Sequence, residues 1–280
     1  MNTLGHWHAA LKLAYAFEHS RSVLRYEHSG PLRILQSLYP EGPVVCHNIL
    51  VHPPGGLVGG DVLSIQLEVA ENAHALITTP GATRFYRSAH DQARQTVAAH
   101  LHHQSRLEWL PLETLAYNQC QGVNQAIFKL DTTAELLAWD MTALGLPDAQ
   151  QPFVQGRLLQ HLEIEGAWLE RGLIDGEDKL LLDSPVGLAG YRCMGTLVLA
   201  RGSAWPRASY ETALESARQV ITQTSQDVCA GVTLAHPGVI VLRTLSARVE
   251  PAQQLLRQVW STWRQALWKL SHNQPRIWAM

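Results

Sequence analysis

The sequence predicts a mainly β protein: a large multi-stranded β body, followed by a smaller C-terminal α/β portion that ends in a long helix. Two observations carry this. Over the first two thirds, apolar residues recur at every second position in short runs separated by turn signals. In the last third the spacing becomes helical, and the clearest apolar stripe of the chain lies near its end.

From Trp7 to Phe17 the odd positions Trp7, Ala9, Leu11, Leu13, Tyr15 and Phe17 are all apolar, whereas His8, Lys12 and Glu18 are not. That is the signature of a strand with one buried face. Ser64–Val69 repeats it with Ile65, Leu67 and Val69, and Leu158, Leu162 and Ile164 stand opposite His161 and Glu163. Pro40-Glu41-Gly42, Pro80-Gly81 and Asp175-Gly176 mark turns. Tyr210–Gln226 carries Leu214, Ala217, Val220 and Ile221 at helical spacing. Val228–Ala235 and Val239–Leu245, split by His236-Pro237-Gly238, read as a hairpin. Glu250-Pro251 then opens a helix, Pro suiting its first position, with an apolar stripe of Leu255, Leu256, Val259, Trp260, Trp263, Leu267 and Leu270. The expected division is a β body over 1–203 and a C-terminal portion over 204–280 packed on it. No repeat of fixed period is visible.

Of the 280 residues, 22 are Lys or Arg and 24 Asp or Glu, so only 16% are charged and the net charge is −2. A typical soluble domain has roughly 25%. The balance argues against a nucleic-acid surface, which needs a basic excess, and against anionic lipid. No stretch reaches the ~20 apolar residues of a membrane helix. The start lacks the basic segment of a signal peptide. Cys46, Cys120, Cys193 and Cys229 form no CxxC pair, so reduced thiols and a cytoplasmic location are expected. A surface so poor in charge is weakly protected against association.

The densest motif runs from His52 to Asp61, with four Gly and two Pro in ten residues. It lacks the Lys-Ser/Thr of a phosphate loop. Two readings stay open for Asp61: a carboxylate that bonds loop amides, or an oxygen ligand or proton acceptor. The second motif, Thr78 to Ser88, carries Arg84, Phe85, Tyr86 and Arg87. Alternation sets Arg84 and Tyr86 on one face, Phe85 and Arg87 on the other. Arg and Tyr favour interfaces, so a partner contact is expected. His100 and His102, of the 14 His, share a strand face; they read as a two-His metal site or a solvated strand edge. Cys46-His47 offers soft ligands without a third. Trp109, Trp139 and Trp168 read as core. Asp140 and Glu170 each interrupt an apolar run; each is outward-facing or, if buried, needs a partner, a proton or a metal.

An ordered set of these motifs resembles the urease accessory protein D family. It comprises Pro31-Leu32, Tyr39-Pro40-Glu41-Gly42, Cys46-His47, His52 through Asp61, Thr79-Pro80-Gly81-Ala82 and Tyr86-Arg87-Ser88. It continues through Glu108-Trp109-Leu110-Pro111 with Glu113, Ala138-Trp139-Asp140 with Leu144-Gly145, Leu169-Glu170-Arg171, Trp260 with Arg264, and Pro275-Arg276-Ile277-Trp278. The set covers nearly the whole chain. Departures are Leu146, where the family commonly has Arg, Leu112 for Gln, and Ser37-Leu38 for Pro-Phe.

The resemblance implies a predominantly β chaperone rather than an enzyme. Such a protein binds apo-urease, recruits accessory protein F and through it the GTPase G, and helps deliver nickel to urease in a GTP-dependent step. No cofactor would be tightly bound; Ni²⁺ would pass transiently. Carried onto this sequence, Asp61, Thr83, Asp140 and Glu170 are candidates to line a nickel path. Arg84, Tyr86, Arg87, Trp260 and Arg264 are candidates for partner contact. Two rivals stand beside it: a β-rich hydrolase with Asp61 and Asp140 as its carboxylate pair, and a nickel-storage protein.

Overall fold

The computed structural model describes residues 7–89, 91–224, 226–271 and 273–279. The expectation about a signal peptide rests on residues outside these. The first ordered unit is a hairpin, β1 (His8–Glu18) and β2 (Arg21–Ser29), followed by a short β3 (Arg33–Ile34). From there the chain winds between two sheets. β4 (Val45–Val51) lies in sheet II, β5 (Val62–Val69) in sheet I, and β6 (His74–Thr78) back in sheet II. A three-residue corner strand, β7 (Thr83–Phe85), precedes β8 (Ala93–Leu101) of sheet I. The next turn is β9 (Arg106–Leu110), corner β10 (Thr114–Ala116) and β11 (Gln121–Leu130); the last is β12 (Glu135–Leu146), a short β13 (Gln151–Pro152) and β14 (Arg157–Ile164).

Each turn stacks on the previous one in parallel. β4, β6, β9 and β12 are neighbours in sheet II. β5, β8, β11 and β14 are neighbours in sheet I, with β1 parallel to β5. The body is therefore a two-sheet coil of strands. The spacing between equivalent positions is uneven, which is why no sequence period appears. Antiparallel strands close the ends of sheet I: β2 on one side, β15 (Trp168–Asp175) on the other.

After a short helix α1 (Lys179–Asp183), β16 (Cys193–Arg201) pairs antiparallel with β12. Helix α2 (Arg207–Gln223) leads to β17 (Val228–His236) and β18 (Val239–Ser246), the expected hairpin, which extends sheet II past β16. Helix α3 (Val249–Trp263) follows and ends in a π turn over Arg264–Trp268. Pro251 falls in the third helical position rather than the first, where its missing N–H still costs no hydrogen bond.

Burial explains the two hydropathy patterns. Sheet I has one face in water, so β5 alternates buried Leu63, Ile65, Leu67 and Val69 with more exposed residues. Sheet II is covered on one side by sheet I and on the other by α2 and α3, so all five residues of β6 are buried. Parallel strands covered on both faces read as continuous apolar runs. The helix stripe is confirmed for Leu255, Leu256, Val259, Trp260 and Trp263, all fully buried.

One network ties the end of α3 to the body. Arg264 is buried, and its Nε lies 2.9 Å from Glu108 of β9. Its Nη2 donates to both Glu41 oxygens at 2.8 and 3.0 Å, and Nη1 to Ser271 O at 3.0 Å. Trp260 Nε1 donates to Glu108 at 2.6 Å, His74 Nε2 lies 2.8 Å from the same carboxylate, and His47 Nε2 lies 2.7 Å from Glu41. Burial alone would raise the Glu108 pKa, but the His74 contact and the Arg264 charge outweigh it and hold the carboxyl below its usual range. This corrects the expectation that Trp260 and Arg264 meet a partner. Both are fully buried within the chain. It also places His47 in an internal pair rather than a soft-metal site.

Removing one member of a buried ion pair strands the other charge. Arg264→Ala should lower unfolding stability by about 3–5 kcal/mol, read as a shift of the urea midpoint at constant slope. The double change Glu108→Gln/Arg264→Met should lose less. A loss below about 1 kcal/mol for the single change would refute this role.

Candidate functional site: a polar seam between the sheets

Where the corner strands meet sheet I, the stacking lines up two ladders of uncharged polar residues. Thr83, Thr114 and Thr142 are adjacent in register across β7, β10 and β12. Facing them, Gln95, Asn124 and Gln160 are adjacent across β8, β11 and β14. Asp140 precedes Thr142 by two positions, so it shares its face.

The ladders are cross-linked. Gln95 Nε2 donates to Asn124 Oδ1 at 3.2 Å, and Asn124 Nδ2 donates to Asp140 Oδ2 at 2.9 Å and to Thr114 Oγ1 at 3.5 Å. Gln160 Nε2 donates to Asp140 Oδ1 at 2.9 Å and to Thr142, whose hydroxyl reaches Asp140 at 3.2 Å. Asp140 thus has neutral donors around it and no bonded cation among the described residues. Burial pushes its pKa up to about 6; the Thr142 hydrogen bond opposes this, and the Glu170 charge adds to it.

A cavity adjoins each end of the seam. The first, about 210 Å³, is lined by Thr83, Gln95, His52, Thr79 and Arg84. His52 Nε2 is buried there without a hydrogen-bond partner among the described residues, and burial lowers its pKa. The second, about 380 Å³, is lined by Asp140, Gln160, His161, Glu170, Thr196 and Arg243. Glu170 sits 3.1 Å from Arg243 and accepts from Thr196 at 3.3 Å. Asn124 is the amide that links the Gln95 end to the Asp140 end.

Of the four residues expected on an ion path, Thr83 lines the first cavity, and Asp140 and Glu170 line the second. Asp61 does not join them. It is buried in the loop, where its two oxygens accept from the amides of Trp7 and Val58 at 2.9 Å each. Of the two readings of Asp61, the geometry favours the loop lock. Asp61 lines neither cavity, so the Asp61–Asp140 pair required by a hydrolase is not assembled.

Arg84 and Tyr86 serve the same loop. Arg84 Nη1 donates to Gly55 O at 3.2 Å, and Tyr86 packs on Tyr117 with ring centroids 4.9 Å apart. A Cβ on Gly56 would strike Tyr86, and one on Gly59 would strike Ser88, so the backbone there requires glycine. The expected face-sharing of Phe85 and Arg87 fails. β7 ends at Phe85, which is buried, and Arg87 is exposed.

Burial pushes the Cys120 thiol up to about 12 and that of Cys193 up to about 11, leaving these two protonated at neutral pH. Sequence reasoning missed Thr114, Asn124, Thr142 and Gln160, because only strand register distinguishes them from surface polar residues.

The fold is a two-sheet coil of strands with a polar seam, and an acid among neutral donors, between its sheets. Comparison with known proteins supplies the family. The profile of the UreD urease accessory protein family matches residues 8–279. Urease accessory protein UreD of Albidiferax ferrireducens is 56% identical over 274 residues, covering 98% of this chain and 99% of its own. Those of Paracidovorax citrulli and Variovorax paradoxus are 55% and 53% identical with the same coverage. The chain belongs to the UreD urease accessory protein family. Among the described residues, no helix is long and apolar enough to cross a membrane.

The raised pKa of Asp140 carries a sign. A folded carboxyl at about 6, against about 3.9 unfolded, binds more protons folded than unfolded between these values, so its ionisation destabilises the fold as pH rises through that window. Asp140→Asn removes this. Its stability relative to wild type should rise by about 1–3 kcal/mol between pH 4 and pH 6 and level off above pH 7. A flat difference across that range would show that Asp140 ionises freely.

Proposed function

We propose that this protein is a non-enzymatic chaperone of urease maturation. In this reading it binds apo-urease and accessory protein F, and it helps deliver nickel to the urease active site in a step driven by the GTPase G. It works in the cytoplasm and holds no tight cofactor. The cargo Ni²⁺ passes along the seam, from Thr83 and the His52 cavity to Asp140 and Glu170.

The observation that carries the reading is the half-buried carboxylate of Asp140, which lines the second cavity at the end of the polar seam and is surrounded by neutral donors. A half-buried acid without a cationic partner favours a proton or a metal ion. Oxygen ligands hold Ni²⁺ less firmly than a nitrogen-rich site, and weak, multi-site binding lets an ion leave. That property suits a conduit better than a store. The mouth of the second cavity also suits a partner. Leu169 and Leu173 of the edge strand β15, with Leu180 and Val186 beyond it, are exposed apolar side chains. Arg87, exposed after β7, offers a further contact.

The test is co-expression with urease and its other accessory proteins, reading nickel per urease by elemental analysis and complex assembly by pull-down. Asp140→Ala and Glu170→Ala should each lower urease nickel while the complex still forms. Asp61→Ala should instead weaken the fold, by about 1–3 kcal/mol from two unpaired buried amides. Normal nickel loading in both Asp140 and Glu170 variants would exclude the seam as the route.

A further inference from the structure

The two-His question raised by the sequence has a structural answer on the outer face of sheet I, away from the seam. β5, β8 and β11 set Glu68 beside His100, and His100 beside Lys129. His102 follows on the same side, and the two imidazole rings lie 4.1 Å apart. Glu68 Oε2 is 3.1 Å from His102 Nε2 and 3.7 Å from His100 Nδ1. On the other side, Asp131 Oδ1 is 3.1 Å from His100 Nε2, and Oδ2 is 3.5 Å from His102 Nδ1. Every ring nitrogen of the pair therefore faces a carboxylate.

A neutral imidazole has one N–H and one lone pair. If each ring gives its N–H to Asp131, each presents a lone pair to a Glu68 oxygen, which is also an acceptor. Acceptor facing acceptor is repulsive until positive charge lies between them. No Lys or Arg forms an ion pair with Glu68 or Asp131 among the described residues. One donor atom each from Glu68, His100 and His102 fall within 4.8 Å of one another. Asp131 stands where the outer carboxylate of a metal-bound histidine stands, fixing ring orientation through the remote N–H.

We propose that Glu68, His100 and His102 form a surface site for a divalent transition-metal ion, oriented by Asp131 and completed by water. Two imidazoles and one carboxylate select the nitrogen-preferring ions Ni²⁺, Zn²⁺, Co²⁺ and Cu²⁺ over Mg²⁺ and Ca²⁺. The half-exposed setting makes the site exchangeable. It stands independently of any ion movement through the seam.

The experiment is titration of the full chain with Ni²⁺ and with Zn²⁺ by calorimetry, with Mg²⁺ as control. His100→Ala/His102→Ala should lose one equivalent of bound ion, whereas changing the exposed His28 of β2, His28→Ala, keeps it. Asp131→Asn should keep the stoichiometry and weaken affinity about 10–100-fold. Circular dichroism should show the variants folded, since all four side chains lie on the surface. Equal stoichiometry and affinity in the double variant would overturn the proposal. So would absence of binding together with imidazole NMR signals showing both rings protonated near neutral pH; the second proton would then supply the charge.

Discussion

Glu108 and Arg264 form an ion pair without solvent contact, and the arrangement of the whole chain depends on it. Two such charges are costly to remove from water unless geometry and further hydrogen bonds compensate. Here they do. Glu108 also receives Trp260 and contacts His74; Arg264 also grips Glu41, which contacts His47. The pair spans β9 and the turn after α3, while Glu41 belongs to the loop before β4. The first winding turn and the last helix are thus fixed to each other through one carboxylate and one guanidinium. Trp278 adds a second clasp, donating to Thr78 at 2.8 Å and packing against Trp139 and Trp260.

That clasp has a consequence for the interior. With the helices held against one face of sheet II, its other face packs on sheet I through an apolar core. The seam is the exception to that core, and it persists because its members satisfy one another. A partly satisfied buried network would be worse than an apolar one. Asp140 is the weak point: it has hydrogen bonds enough, but no opposite charge. Glu170 nearby is neutralised by Arg243. The two acids of the second cavity therefore differ in kind, one paired with an arginine and one held by neutral donors.

Much of this was legible in the sequence, for reasons that also set its limits. β1, β5 and β14 showed a period of two because sheet I has a wet face. The runs in β12, β16 and β18 lacked that period because most of each strand is covered on both faces, unlike the exposed edge strand β17. The winding itself left no trace: successive strands alternate between sheets, and turns of unequal length erase periodicity. Corner strands of three residues are too short to carry a pattern. Asp140 and Glu170 stood out as acids in apolar runs, but their neutral neighbours did not. Arg264 was misread because residue type suggests an interface without revealing burial. Its partner Glu41 lies 223 positions away, and no local signal joins them. His100 and His102 suggested a pair by spacing alone, whereas Glu68 and Asp131 entered only through register and a turn.

The scarcity of charge is sharper in the structure than in the composition. Only 16% of residues are charged, and Asp61, Glu108 and Arg264 are buried, as is the side chain of Glu41. These groups hold the fold together and contribute nothing to solubility. The surface is correspondingly poorer in charge, while exposed apolar side chains gather around edge strand β15 and the mouth of the second cavity. Edge strands are usually protected by charge or cover, because unpaired backbone groups invite another chain. β15 sets exposed Leu169 and Leu173 among Glu170, Arg171 and Asp175, so this edge mixes apolar and charged side chains. Leu169 and Leu173 thereby place exposed apolar surface directly beside the cavity that Asp140 lines.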